Sequence, residues 1–234
     1  MPASTPTILA LDFDGVLCDG TAEYFGAAWR VWRRLRPSAA PDPPRGLVDR
    51  YARVRPVVEH GWEMPLLVMA LLAGVGEAEI LERWRPEALL GKLGRTRDEI
   101  VAVLDGVRDE WIAADEGDWL DHHRFYPGVI HRLRRLGGGP TRVVIVTTKE
   151  GRFARKLLVR QGLDLGVEDA YGKEAGRPKP VILRELVEPR SPARRLWFVE
   201  DRLKTLEAVK STPGLDDVGL FLAEIGRASC RERV

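Results

Sequence analysis

Apolar residues along this chain fall into two patterns, and the two occupy different stretches. The first pattern is the short apolar run closed by polar or glycine-containing turns, as at residues 8–11 (Ile-Leu-Ala-Leu), 142–146, 195–199 and 218–222. The first of these reads as a buried strand of a parallel sheet, and the others as further strands. A weaker strand is expected near 169–171. The second pattern places apolar residues three and four apart. Val129, Ile130, Leu133 and Leu136 predict one helix, with Pro127 expected in its first turn. Phe153, Leu157 and Leu158 predict another that closes near Gly162, and residues 181–187 and 203–209 supply two more. Strands and helices alternate, which argues for an α/β fold built on a doubly wound parallel sheet.

Between residues 20 and 123 the strand signal disappears. Helices are expected at 22–35, where Pro37 stops the run, and at 47–59, 64–72 and 77–84. The Pro- and Ser-rich stretch 37–46 is a loop by composition. Thr96-Arg97-Asp98-Glu99 has the spacing of a capping box, and Ile100, Val103, Leu104, Val107 and Trp111 then repeat on one helical face. That stripe reads as core rather than as a cofactor site. The expected organisation is an α/β core at 1–19 and 124–223, interrupted by an all-helical insertion at 20–123. Residues 224–234 leave the pattern and resemble a translated sequencing adapter, so they are expected to be a non-native tail.

Composition narrows the class. With 44% hydrophobic residues the chain can bury a substantial core, and its charged residues (31%) nearly cancel to a net +2. That balance argues against nucleic acid or an anionic membrane as the main partner. The basic run at 30–36, with Trp32 inside it, reads as a solvated helix face rather than an RNA-binding patch. Cys18 and Cys230 are too few for a disulfide framework, so a reducing cytoplasm is expected, with Cys18 packed in the interior. The N-terminus lacks the basic and apolar regions of a signal peptide. The apolar stretch 64–73 is far short of the roughly 20 residues that span a bilayer. A soluble, cytoplasmic monomer or homodimer is expected.

Candidate chemistry begins where the first strand ends. Ligands of open α/β sheets sit beyond the carboxyl ends of the strands, and there Asp12 and Asp14 stand two residues apart. Side chains at i and i+2 of a strand point the same way, and two neighbouring carboxylates need a cation or a shared proton. Gly15 then lets the chain turn without a Cβ penalty. Later strand ends and loops bring Thr147, Lys179 and the pair Glu200-Asp201. Each has a bland reading: Asp forms turns, a lysine between two prolines is usually exposed, and Thr147 can simply end a strand. Asp19 reads as a turn or cap residue. Agreement among independent pieces is what argues for one site.

Asp12-Phe13-Asp14-Gly15-Val16-Leu17, followed in order by Thr147, Lys179 and Asp201, resembles the four motifs of the haloacid dehalogenase superfamily of phosphatases. The resemblance covers residues 6–19 and 124–223 and implies a Rossmann-like core. It implies that Asp12 is the nucleophile, forming an aspartyl-phosphate, and that Asp14 is general acid and then general base. Thr147 would offer its hydroxyl to the phosphoryl group, and Lys179 would stabilise transition-state charge. Asp12, Asp201 and the main-chain carbonyl of Asp14 would hold Mg²⁺. Glu200 departs from the Gly-Asp or Asp-Asp common in the family; direct ligand, water-mediated ligand and lysine partner all stay open for it.

The helical insertion resembles the type-1 cap of this superfamily. The Tyr126-Pro127-Gly128-Val129 and Val146-Thr147-Thr148-Lys149 stretches make phosphoglycolate phosphatase the nearest branch. Candidate substrate-reading residues are Arg53, Arg55, Glu59, His60, Trp62 and Glu63 in the insertion, with Thr148 in the core. Arg55 suits a substrate carboxylate or second phosphate, but equally an i,i+4 pair with Glu59. His122 and His123 read as a solvated linker. The expectation is a Mg²⁺-dependent phosphatase acting on a small phosphorylated metabolite. Two alternatives share its residues: a phosphomutase, recognised by lack of net phosphate release, and a non-catalytic binding protein of the same fold, whose function would survive loss of Asp12. A receiver domain does not accommodate so long an insertion between motifs.

Overall fold

A computed structural model describes residues 5–188 and 195–224. The tail expected at 224–234 therefore lies, apart from Glu224, outside the described residues, as does Cys230. The chain divides into two compact units, one formed by residues 1–19 and 124–234 and the other by Gly20–His123.

The first unit carries the sheet. Its strands are β1 (Ile8–Leu11), β2 (Cys18–Asp19), β3 (Arg124–Phe125), β4 (Arg142–Val146), β5 (Ala170–Tyr171), β6 (Leu196–Glu200) and β7 (Gly219–Leu222). Five of them form one parallel sheet in the order β5-β4-β1-β6-β7. β1 lies at the centre, with Ile8 opposite Arg142 on one side and Leu196 on the other. Connections run outward from β1 in both directions, so the carboxyl end of β1 is the topological switch point where such sheets bind ligands. β2 and β3 form a separate antiparallel pair where the chain leaves this unit and returns to it. Asp19 thus belongs to a strand rather than to a cap.

The second unit is helical: α1 (Thr21–Leu35), α2 (Leu47–Val54), α3 (Glu63–Leu72), α4 (Glu77–Arg83), α5 (Pro86–Leu93), α6 (Arg97–Ala114) and α7 (Glu116–Asp121). Tyr51, Leu67, Val68 and Ile80 are among its fully or almost fully buried residues. The helix expected at 47–59 stops at Val54, and one 3₁₀ turn follows over Arg55–Val57, because Pro56 has no N–H to continue the ladder. The capping box at Thr96 forms as its spacing predicts. α5 and α7 were not legible; α7 has only six residues, held by Asp115 accepting from the Asp118 N–H at 2.9 Å. In the basic run Arg33, Arg34 and Arg36 are exposed, while Arg30 is only partly so. Its guanidinium lies 3.5 Å from the Trp111 ring centre and donates to the Gly26 carbonyl. His123 is buried, not part of a solvated linker, with its ring 4.6 Å from that of Trp119.

Back in the first unit, α8 (Val129–Gly137), α9 (Gly151–Arg160), α10 (Lys179–Val187) and α11 (Leu203–Lys210) connect the strands. Ile182, Leu183 and Leu186 of α10 and Leu206 and Val209 of α11 cover one sheet face, packing on Ile8, Ala10, Val144 and Phe198. Pro127 is not in the first turn of α8: Gly128 takes a φ of +79° and the helix opens at Val129. α10 starts two residues earlier than the sequence suggests, at Lys179. Pro180 is tolerated there because a first-turn N–H has no helical partner to lose. Among the described residues no helix is long and apolar enough to cross a membrane.

Candidate active site

β1 delivers Asp12 to the carboxyl edge of the sheet, where its N–H still donates to the Val199 carbonyl at 3.0 Å. A tight loop follows. The Leu17 and Cys18 N–H groups both donate to the Phe13 carbonyl, and the Gly15 N–H to the Cys18 carbonyl. Gly15 adopts a φ of +83°, and a Cβ there would lie 2.3 Å from Asp201 Oδ2. Glycine is therefore required on two counts: left-handed backbone and close approach of a carboxylate from the end of β6. Phe13 is fully buried and meets Phe125 edge-on, which anchors the loop from beneath. Cys18 is fully buried and burial pushes its thiol pKa up, so it is a packing residue.

Lys179, in the first turn of α10, bridges two carboxylates. Its Nζ is 2.7 Å from Glu200 Oε2 and 3.0 Å from Asp12 Oδ1. Glu200 is fully buried, and its other oxygen accepts the Arg202 N–H at 3.1 Å. Both Glu200 oxygens are thus engaged, which makes it a partner of Lys179. Burial raises the Asp12 carboxyl to about 7, with Glu200 and Asp14 adding to the effect and Lys179 opposing it. Burial likewise raises Glu200 and Asp201. It pulls Lys179 down, but Asp12 and Glu200 outweigh it and hold the ammonium above its ordinary range.

Thr147 follows β4 and is buried. Its N–H donates to the Tyr171 carbonyl, while its Oγ1 accepts the Lys149 N–H at 3.1 Å. Lys149 turns back to Asp14, its Nζ 3.4 and 3.5 Å from the two carboxylate oxygens. The sequence reading missed Lys149 as a site residue. The signal was a lysine two positions beyond the strand-end threonine.

The structure brings Asp12, Asp14, Thr147, Lys179, Glu200 and Asp201 to the carboxyl ends of β1, β4 and β6 and the start of α10. Thr148 is exposed beside Thr147. Arg55 and Glu59 belong to the helical unit. Arg55 donates to the Val58 carbonyl and lies 4.6 Å from the Tyr24 ring centre, while Glu59 is exposed. Two other reader candidates are committed elsewhere. Arg53 forms a two-point pair with Glu77, and buried Glu63 accepts from the His60 N–H and the Trp84 indole.

The residues present fit a divalent cation. Carboxylate oxygens of Asp12, Glu200 and Asp201 lie within 4.8 Å of one another. Asp12 Oδ1 is buried without a well-aligned hydrogen bond, despite its nearness to Lys179. Hard oxygen donors of this kind suit Mg²⁺. Two lysines against four carboxylates leave an excess of negative charge that a cation would balance.

The chain matches the description "haloacid dehalogenase-like hydrolase" over residues 6–211. No curated protein matches it by sequence. A phosphatase from Thermococcus thioreducens shares 17% identity and a TM-score of 0.60, over 96% of this chain and 99% of that one. A haloacid dehalogenase-like family hydrolase from Streptococcus pneumoniae gives 14% and 0.55, over 97% and 91%. A protein provisionally assigned as a phosphoglycolate phosphatase, from Lactobacillus delbrueckii subsp. bulgaricus, gives 18% and 0.52, over 91% and 83%. At these identities the likeness is one of fold. The match over most of the sequence makes this chain a member of the haloacid dehalogenase-like hydrolase family.

Proposed function

We propose that this hydrolase is a Mg²⁺-dependent phosphomonoesterase that works through an aspartyl-phosphate on Asp12. The observation that carries the reading is the buried Asp12 carboxylate with Lys179 at 3.0 Å and Glu200 and Asp201 beside it. Asp12 attacks phosphorus while the ester oxygen leaves, and the Asp14 carboxyl gives that oxygen its proton. Water then attacks the same phosphorus and gives a proton to Asp14, and the bond to Asp12 breaks. Lys179, fixed by Glu200, faces the charge that develops on the phosphoryl oxygens, and the Thr147 hydroxyl donates to one of them. Asp12, Asp201 and the Asp14 main-chain carbonyl would hold Mg²⁺, with Glu200 positioning Lys179. When bound, the ion supplies Lewis-acid stabilisation of phosphoryl charge.

We read the helical unit as the part that selects the substrate, a small phosphorylated metabolite, with Arg55, Glu59 and, from the core, Thr148 as candidate contacts. The test is phosphate release from a panel of small phosphate esters, with Mg²⁺ and with EDTA, by wild type and Asp12→Asn. Metal-dependent release that the variant loses supports the reading. A folded, Mg²⁺-binding wild type that releases no phosphate from any ester overturns it.

A further inference from the structure

Lys149 is a second lysine at the carboxyl edge of the sheet, with its own aspartate. Its side chain is only 7% exposed, and its Nζ approaches both oxygens of Asp14 at 3.4 and 3.5 Å. Its backbone is tied at both ends: the N–H donates to Thr147 Oγ1, and the carbonyl accepts the Lys173 N–H at 2.9 Å. The segment beyond is clamped too. Both carboxylate oxygens of Glu174 accept the Gly151 N–H at the start of α9, at 3.1 and 3.0 Å. A Cβ on Gly172 would lie 2.1 Å from that same nitrogen. A long, flexible side chain is thus launched from a fixed backbone through a nearly closed surrounding toward one carboxylate. Ordering it costs side-chain entropy, and burying its charge costs solvation, so the pair is expensive unless it does something.

We propose that Lys149 is a positioning residue for Asp14, holding its carboxyl group where the ester oxygen departs and where the hydrolytic water arrives. This rests on the phosphoesterase reading above. In the first step the bond from phosphorus to the ester oxygen breaks as the bond to Asp12 forms, and the proton on Asp14 passes to the departing oxygen. In the second, water supplies the new bond to phosphorus and returns a proton to Asp14. Both steps need that carboxyl group within hydrogen-bond reach of a moving oxygen. Displacing such a group by about 1 Å can cost on the order of a hundredfold in rate. Lys179 fixes the nucleophile, and Lys149 fixes the group that handles protons.

The test uses the full chain with Mg²⁺ and two substrates, p-nitrophenyl phosphate and a primary alkyl phosphate. A nitrophenolate leaves without a proton and an alkoxide does not, so the ratio of kcat/KM between the esters reports on proton delivery. Wild type, Lys149→Met, Lys149→Arg and Asp14→Asn are compared, and thermal unfolding shows which variants are folded. Lys149→Met is expected to lose roughly 10- to 100-fold on the alkyl ester, and severalfold less on the aryl ester. Lys149→Arg should recover part of the loss, and Asp14→Asn should show the same selectivity more strongly. Equal losses on both esters for folded Lys149→Met, with Asp14→Asn still selective, overturn the proposal and leave the phosphoesterase reading standing. If Lys149→Met does not fold, Lys149→Arg decides: a larger loss on the alkyl ester than on the aryl ester supports positioning, and an equal loss on both esters overturns it. No selectivity in Asp14→Asn overturns the role of Asp14 itself, and the proposal with it.

Discussion

Lys179 Nζ lies 2.7 Å from Glu200 Oε2, closer than its 3.0 Å to Asp12 Oδ1, so the ammonium is held first by the buried glutamate and presented to the aspartate. Glu200 sits on the last position of β6 with no exposed surface. Removing one member of such a pair leaves the other charge buried without its counterpart. Glu200→Ala should therefore lower unfolding free energy by about 3–5 kcal/mol in denaturant titrations, and Glu200→Gln by less. Glu200→Gln keeps the volume but loosens Lys179, so kcat on phosphate esters should fall on the order of tenfold or more.

The raised carboxyl of Asp12 makes a pH prediction with a definite sign. Its value of about 7 lies above the ordinary 3.8, so the native protein holds that proton more tightly than the unfolded chain does. Asp12 then favours the fold below the ordinary value, and that contribution is lost as pH rises toward about 7. Above that, an ionised Asp12 without metal is a standing cost. Asp12→Asn removes the cost, so without metal it should be more stable than wild type at about pH 8, by a few kcal/mol at most, and the gap should narrow steadily as pH falls from about 7 toward the ordinary 3.8. Thermal unfolding of both proteins in EDTA across that range measures it. A gap that widens toward acid would contradict the burial of Asp12.

Much of this site was legible because its parts sit at strand ends. A run such as Val143 to Val146 announces a buried strand, and the carboxyl edge of a parallel sheet is where chemistry collects. Asp12, Asp14, Thr147, Lys179, Glu200 and Asp201 could thus be named from the pattern and its family resemblance. What pairs with what was not legible. That Glu200 takes Lys179, and that Lys149 turns to Asp14, depends on side-chain directions across three strands, which no spacing encodes. The β2–β3 pair escaped for another reason: two-residue strands of Cys18–Asp19 and Arg124–Phe125 are too short to carry alternation. In the helical unit, Glu23 gave no sign that it would be buried. Only the fold puts Arg108, far along the chain, against it.

Gly15 tests the loop after β1, which lies against Asp201 at the end of β6. Its φ of +83° disfavours any side chain, and the Cβ position is occupied by Asp201 Oδ2 at 2.3 Å. Gly15→Ala should cost about 1–3 kcal/mol of stability through backbone strain. It must also push Asp201 or the Asp14 segment aside, so Mg²⁺ should bind more weakly than to wild type. Calorimetric titration of Mg²⁺ into the folded variant checks this; unchanged affinity would mean that Asp201 is not a ligand.

A final prediction concerns the helical unit alone. Glu23 of α1 is fully buried, and Arg108 of α6 grips it at 2.7 and 3.0 Å, with the Trp119 indole N–H at 3.4 Å from the same carboxylate. The two-point contact and the buried carboxylate hold Arg108 firmly protonated against the cost of its own burial. Neither residue lies among the acids at the sheet edge, so the pair is a structural clamp between α1 and α6. Arg108→Met should strand the Glu23 charge and cost about 3–5 kcal/mol. Adding Glu23→Gln to Arg108→Met removes the stranded charge, so the double variant should recover much of that loss. Denaturant unfolding of the four proteins, followed by tryptophan fluorescence that includes Trp111 and Trp119, gives the coupling between the two positions. Additive losses, with no recovery in the double variant, would mean that Glu23 is satisfied without Arg108 and that the clamp adds nothing to the fold of this unit.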